Sequence, residues 1–345
     1  MPKGSSALRT VLTLALSLAG GLLALAAHLP AGLLVGGAFL VSVAAVAGAP
    51  ALVPGPVRNT AFVLIGMTLG TNVGHDTLSL IGQWPVTLIG LVVELGLIIA
   101  VTGLMLNRVF GIDRSTAYLS AFPGHLSFVL GVAAAGYGDP RQVVLIQTIR
   151  VMMLTLLVPL VARVMSMHDL VATSNTAPLE LVPLIGLIAA CVAGGFAFTA
   201  LRVPAGFVLG SMAVATIGKL VGLYDGAMPW QLSSVSYIIM GALIGSRFAG
   251  VRPQELRRGA LGGLAATLSA VLIVTGVAAT LALLVDMPFG QIWLGLAPGG
   301  LEAMGALGIA LGYDTAFIAA HHTMRFIVLS FAIPLIARLA QEDRG

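Results

Sequence analysis

Residues 147–163 read QTIRVMMLTLLVPLVAR, and residues 322–338 read HTMRFIVLSFAIPLIAR. Each is an apolar run with an arginine in its first turn, a proline in its second half and Ala-Arg at its end, and the two lie about 175 residues apart. Four more matches keep the same order and spacing. LPAGLLVGG (29–37) pairs with VPAGFVLGS (203–211), and GMTLGTN (66–72) with GALIGSR (241–247). AFPGHLS (121–127) pairs with LAPGGLE (296–302), and GYGDP (136–140) with GYDT (312–315). Shared composition does not set glycines, prolines and arginines in one order twice. The chain is therefore a tandem duplication, with repeat 1 over 1–172, repeat 2 over 173–345, and the two integrated into one membrane domain.

Composition fixes the solvent. The chain is 58% hydrophobic and 9% charged, with a mean hydropathy of +1.05, whereas soluble domains carry about 25% charged residues. Apolar runs such as VLTLALSLAGGLLALAA and PVTLIGLVVELGLIIAVTGLML recur along its length. Runs of about 20 such residues cross a hydrocarbon core of about 30 Å. In a soluble protein a pI of 9.6 would suggest nucleic acid, but here the basic residues sit in short loops, where they orient the chain in the membrane. Cys191 is the single cysteine, so intramolecular disulfides are excluded. The opening MPKGSSALR with the apolar run behind it has the look of a signal peptide. Repeat 2 has a matching helix, so the first helix is expected to be retained.

Each repeat reads as four apolar helices, an interrupted apolar segment and a last helix. In repeat 1 these fall near 10–28, 31–49, 57–73, 84–107, 115–137 and 141–166. In repeat 2 they fall near 181–200, 204–221, 232–248, 259–285, 289–312 and 315–340. If the interrupted segments cross, the repeats are parallel, and nine Lys/Arg face the cytoplasm against six outside. If they re-enter, each repeat has five crossings and the two are inverted. Thirteen then face inside, and only Arg163 and Lys219 lie outside. The second split fits the positive-inside rule. The expectation is an all-α polytopic membrane protein with two inverted repeats. Each repeat has five transmembrane helices plus one re-entrant hairpin or broken helix, and both termini are cytoplasmic.

Non-helical backbone is tolerated at membrane depth only where protein or a water-filled cavity satisfies it. Pro123-Gly124-His125 in repeat 1 and Pro298-Gly299-Gly300 in repeat 2 interrupt their segments. An arm of about ten residues on either side reaches about 15 Å, the bilayer midplane. Half-helix ends there offer N–H groups to an anion and C=O groups to a cation. Arg150 and Arg325 are equivalent positions buried in apolar runs. A charge at a helix centre costs about 2.5–3.5 kcal/mol even on the mildest scale, so both are expected to face the interior and pair. Glu302, just past the second tip, is the natural partner of Arg325; the guanidinium offsets a charge that a dry pocket would not tolerate.

On a helix either His321 or His322 can share a face with Arg325, one more easily than both. His322 is a proton-carrier candidate because imidazole titrates near neutral pH. Glu94, in the middle of helix 84–107, is another, as is Glu302. The substrate-binding set expected from sequence is thus Pro123, Gly124, His125, Arg150, Pro298, Gly299, Gly300, Glu302 and Arg325. The competing structural reading has Arg325 pinning the hairpin, capping its carbonyls and binding Glu302. Repeat 1 has Ser127, Ile146 and Gln147 where repeat 2 has Glu302, His321 and His322, so the halves are chemically unequal. Adjacent helical histidines point about 100° apart and cannot share one ion, and a metal site wants three or four converging ligands. No metal or cofactor is expected, and no enzymatic fingerprint is present.

At PGGLEAMGALGIALGYD and AAHHTMRF, with PGHLSFVLGVAAAGYGDP and IQTIRVMML as their first-half counterparts, the chain resembles the AbrB-type bacterial membrane protein family along nearly its whole length. Members carry the labels of transcriptional regulator and ammonia monooxygenase, and the family is distinct from the small soluble DNA-binding protein of similar name. It is distantly similar to the cation:proton antiporter and anion transporter superfamily. That likeness implies secondary transport across the bacterial inner membrane. The expectation is a transporter of a small anionic solute with proton coupling, or alternatively a membrane sensor that alters gene expression without turnover. Its partners would be the solute and the bilayer; small-residue faces such as GLLVGG allow close packing either within the chain or with another copy in a homo-oligomer. Nucleic acid is not expected to be one.

Overall fold

The computed structural model describes residues 6–29, 31–73, 81–123, 129, 132–164, 177–251 and 253–341. Among these the chain is helical throughout; strand-like pairing is confined to an isolated bridge between Pro178 and Ala227. Helices α1 (Ser6–Ala26), α2 (Gly32–Val46) and α3 (Gly55–Thr71) come first. Helix α4 (Trp84–Leu97) runs through a π-helical turn, Ile98–Thr102, into α5 (Gly103–Arg108). Then follow α6 (Arg114–Ala121), a second π-helical turn at Ala133–Tyr137 and α7 (Pro140–Val164). The second repeat supplies α8 (Leu181–Ala200), α9 (Gly206–Leu220), α10 (Trp230–Ser246), α11 (Pro253–Ala282), α12 (Phe289–Leu296), α13 (Leu301–Ala310) and α14 (Thr315–Gln341).

Among the described residues, four helical stretches are long and apolar enough to cross a membrane: Ser6–Ala26, Ile81–Arg108, Leu181–Ala200 and Gly259–Ala282. They are two equivalent pairs, one member from each repeat. Helices α2 and α9, expected to cross, have 15 residues each. At 1.5 Å per residue that is about 22 Å, short of a core of about 30 Å.

The helices cluster into two compact units, each drawing on both repeats. One comprises Met1–Ile81, Thr155–Gly250 and Leu301–Ala319. In it, positions about 175 apart make the same contacts. Non-glycine residues in the left-handed region are His28 and Ala31 before α2, and Arg202 and Ala205 before α9. This conformation costs about 1–2 kcal/mol per residue, yet it recurs in register. Gly20 and Gly36 bring the backbones of α1 and α2 so close that a Cβ on either would collide with the other; Gly194 and Gly210 do the same for α8 and α9.

The repeats also exchange partners. Gly66 and Gly70 of α3 lie against Val208, Met212 and Ala215 of α9, whereas Gly241 and Gly245 of α10 lie against Leu34, Ala38 and Val41 of α2. In lipid such small-residue contacts hold helices together by close packing. Ser17 adds a hydrogen bond to the Ile238 carbonyl at 2.6 Å.

The other unit comprises Gly82–Leu154, Val251–Gly300 and Ala320–Gly345. Asp113 caps α6 by accepting from the Thr116 N–H at 3.0 Å, which folds α6 back along α5 and sets the Tyr118 ring against Gly103. Helix α11 packs on α4, where Gly90 receives Leu281, and on α7, where Gly259 and Gly263 receive Leu145 and Ile149. Trp293 of α12 donates to the Thr275 hydroxyl of α11 at 3.0 Å. Leu106, Ile112, Ala117, Ile146 and Ala266 form a core cluster beneath.

Candidate functional site

Two prolines make the site's scaffold. A residue before proline is pushed from helical to extended backbone. Phe122 before Pro123 has φ −61, ψ 118, and Ala297 before Pro298 has φ −52, ψ 132. Helices α6 and α12 end there after eight residues each, and α13 resumes at Leu301 beyond the break at 297–300. A helix end leaves its last carbonyls without partners, and in a membrane no water supplies them.

The two arginines do. Arg150, 2% exposed, donates from Nη1 to the carbonyls of Ser120 at 3.3 Å and Ala121 at 3.1 Å, and from Nη2 to Phe122 at 3.1 Å. Arg325, 1% exposed, donates from Nη1 to Ala297 at 2.5 Å and from Nη2 to Gly299 at 2.6 Å. Phe122 and Ala297 are equivalent positions, so the repeats cap their breaks alike. A cation at a helix C-terminus also meets the negative end of its dipole.

Gln147 and His322, one turn before each arginine, reach the same helix ends. Gln147 Nε2 donates to Leu119 at 3.0 Å and Phe122 at 3.4 Å. His322 Nε2 lies 2.9 Å from the carbonyl of Leu294, the counterpart of Leu119. A carbonyl only accepts, so this nitrogen carries the hydrogen. Nδ1 then presents its lone pair to Arg325 Nη2 at 2.7 Å. His321 turns elsewhere: its Nε2 lies 2.8 Å from the Thr87 hydroxyl, which itself donates to the Trp84 carbonyl at 3.0 Å.

Glu94 is fully buried on α4, and among the described residues neither carboxylate oxygen has a hydrogen-bond partner. Arg325 is the charge that acts on it, and Arg325 acts on Arg150 as well. One unit thus gathers Pro123, Arg150, Pro298, Gly299, Gly300, Arg325, His322 and Glu94 from the expected set. Glu302 is half-buried in the first turn of α13, where a carboxylate suits the helix N-terminus; it belongs to the other unit. Gly124 and His125, with Ser127, lie outside the described residues.

Two contributors were not expected from sequence. The signal for Gln147 was its register with His322. Thr87 carried none, because its role depends on a helix more than two hundred residues away.

Helices long and apolar enough to cross a membrane, with broken helices capped from within, fit a helical membrane protein. The chain belongs to the AbrB family: the model described as transition state regulatory protein AbrB matches residues 33–341. It is 27% identical to the protein YhjN of Bacillus subtilis (strain 168) over 82% of this chain and 78% of that one. It is also 27% identical to a protein of Escherichia coli (strain K12) named "Putative regulator AbrB", over 80% of both chains. No solved structure matches.

Proposed function

We propose that the protein is a secondary transporter of the bacterial inner membrane that moves a small anionic solute, coupled to protons, by alternating access around the capped helix breaks. The observation that carries this is the pair of buried guanidinium groups acting on one another in one unit. Buried charge is costly unless compensated, and a small anion entering between the breaks would compensate it. Glu94 supplies the coupling. A buried carboxylate met by no hydrogen-bond donor is neutralised by a proton or a counter-charge, and Arg325 is the charge at hand. The exchanged glycine contacts in one unit and the twin arginine caps in the other support two equivalent repeats, each contributing one break; the charge split in the loops argues that they are inverted.

The test is uptake of labelled phosphate, succinate and citrate into proteoliposomes under an imposed inward proton gradient. Accumulation of at least one of them is expected, with loss in Arg150→Ala and Arg325→Ala. The printed names of the family and of the E. coli relative contain the words regulatory and regulator; the second reading is a membrane sensor that binds without turnover. An anion that raises the melting temperature of the protein while no anion accumulates would decide for the sensor and against transport.

A further inference from the structure

His322 and Gln147 occupy the same register in the two repeats, one turn before the equivalent arginines. Both donate through a side-chain nitrogen to equivalent carbonyls, those of Leu294 and Leu119. Each arginine then takes the next carbonyls of the same half-helix, with Ala297 and Phe122 again equivalent. The result is a two-residue bracket on α14 gripping the end of α12, and its twin on α7 gripping the end of α6.

We propose that His322 is a positioning residue, the partner of Arg325 in this bracket, and takes no part in moving protons. The second half of that statement rests on the transport reading above; the bracket does not. Both ring nitrogens are committed, Nε2–H to the Leu294 carbonyl and the Nδ1 lone pair to the Arg325 N–H. A second proton on Nδ1 would set N–H against N–H and add a cation beside a guanidinium. The charged or titratable groups acting on the ring are Arg325 and His321, and Arg325 in turn acts on Glu94 and Arg150. A glutamine side chain offers the same pair of functions as this neutral imidazole, an N–H donor beside an acceptor, and the first repeat already uses one.

The experiment measures melting temperature of the purified full-length protein from about pH 5 to about pH 9, the span in which an unperturbed histidine titrates. Wild type, His322→Gln, His322→Ala and Gln147→His are compared. The expected result is that His322→Gln and Gln147→His follow the wild-type curve at every pH, whereas His322→Ala melts several degrees lower throughout. Alanine takes from the Leu294 carbonyl the donor that His322 supplies and removes one of the acceptors of Arg325, the costly kind of loss. The proposal is overturned if His322→Gln melts as low as His322→Ala, or if His322→Ala melts with wild type. It is overturned equally if the wild-type curve has a step near neutral pH that His322→Gln lacks. Should the alanine variant fail to fold, His322→Gln and Gln147→His still decide. Melting is read without flux, so a failure of the transport reading leaves these outcomes distinct.

Discussion

At position 94 a carboxylate is fully buried with no hydrogen-bond donor on it among the described residues, a poor arrangement for a permanently charged group. Replacing it by an amide removes the titration and keeps the shape. Glu94→Gln is therefore expected to melt at or above the wild-type temperature while uptake ceases to respond to an imposed proton gradient. Gradient-driven uptake in that variant would remove Glu94 from the mechanism. Arg325 holds two carbonyls and the lone pair of His322 through one planar guanidinium. A lysine ammonium cannot span all three in that geometry. Arg325→Lys is expected to lower the melting temperature, since each buried group left unpaired costs about 1–3 kcal/mol; a variant as stable as wild type would deny the bracket its role. The arginines and Glu94 stand out in the sequence because charges in apolar runs must have reasons. Their partners do not stand out. Phe122, Ala297 and Gly299 act through backbone carbonyls that carry no residue signature, and Thr87 meets the neighbouring His321 only after distant helices pack.

Among the elements, the interrupted segments were the most legible, because proline constrains its predecessor wherever it falls. The ends of α6 and α12 lie within a residue of where Pro123 and Pro298 put them. The π-helical turn at Ile98–Thr102 was not legible, because the apolar pattern of helix 84–107 runs through it unchanged. It lies just beyond Glu94, and π-turns are frequent at functional sites. The glycine contacts make a prediction of their own. Gly66 and Gly241 are equivalent, and a Cβ on either would press into the backbone of its exchanged partner, α9 or α2. Gly66→Ala and Gly241→Ala should therefore each destabilise the protein, by about 1–3 kcal/mol as overpacking does, and by similar amounts. Thermal melting checks this. A large cost at one position and none at the other would mean that the two contacts do not bear equal load.

For the molecule as a whole, the duplication and the membrane setting were plain in the sequence, since five matched segments and a charged fraction of 9% leave little room for another class. Span count was less plain, because hydropathy marks apolar stretches without fixing where each begins and ends. Helices α2 and α9 stop at 15 residues within apolar segments predicted to run longer. The transport reading depends on the repeats being inverted, since only then do equivalent breaks open toward opposite sides. Ala47 and Val221 are equivalent, exposed positions that end α2 and α9. With Cys191, the single cysteine, replaced by alanine, Ala47→Cys and Val221→Cys can each be treated with a membrane-impermeant maleimide, first in intact cells and then after lysis. Inverted repeats predict labelling of Val221→Cys from the periplasmic side and of Ala47→Cys only after lysis. Labelling of both from the same side would make the repeats parallel and contradict the account.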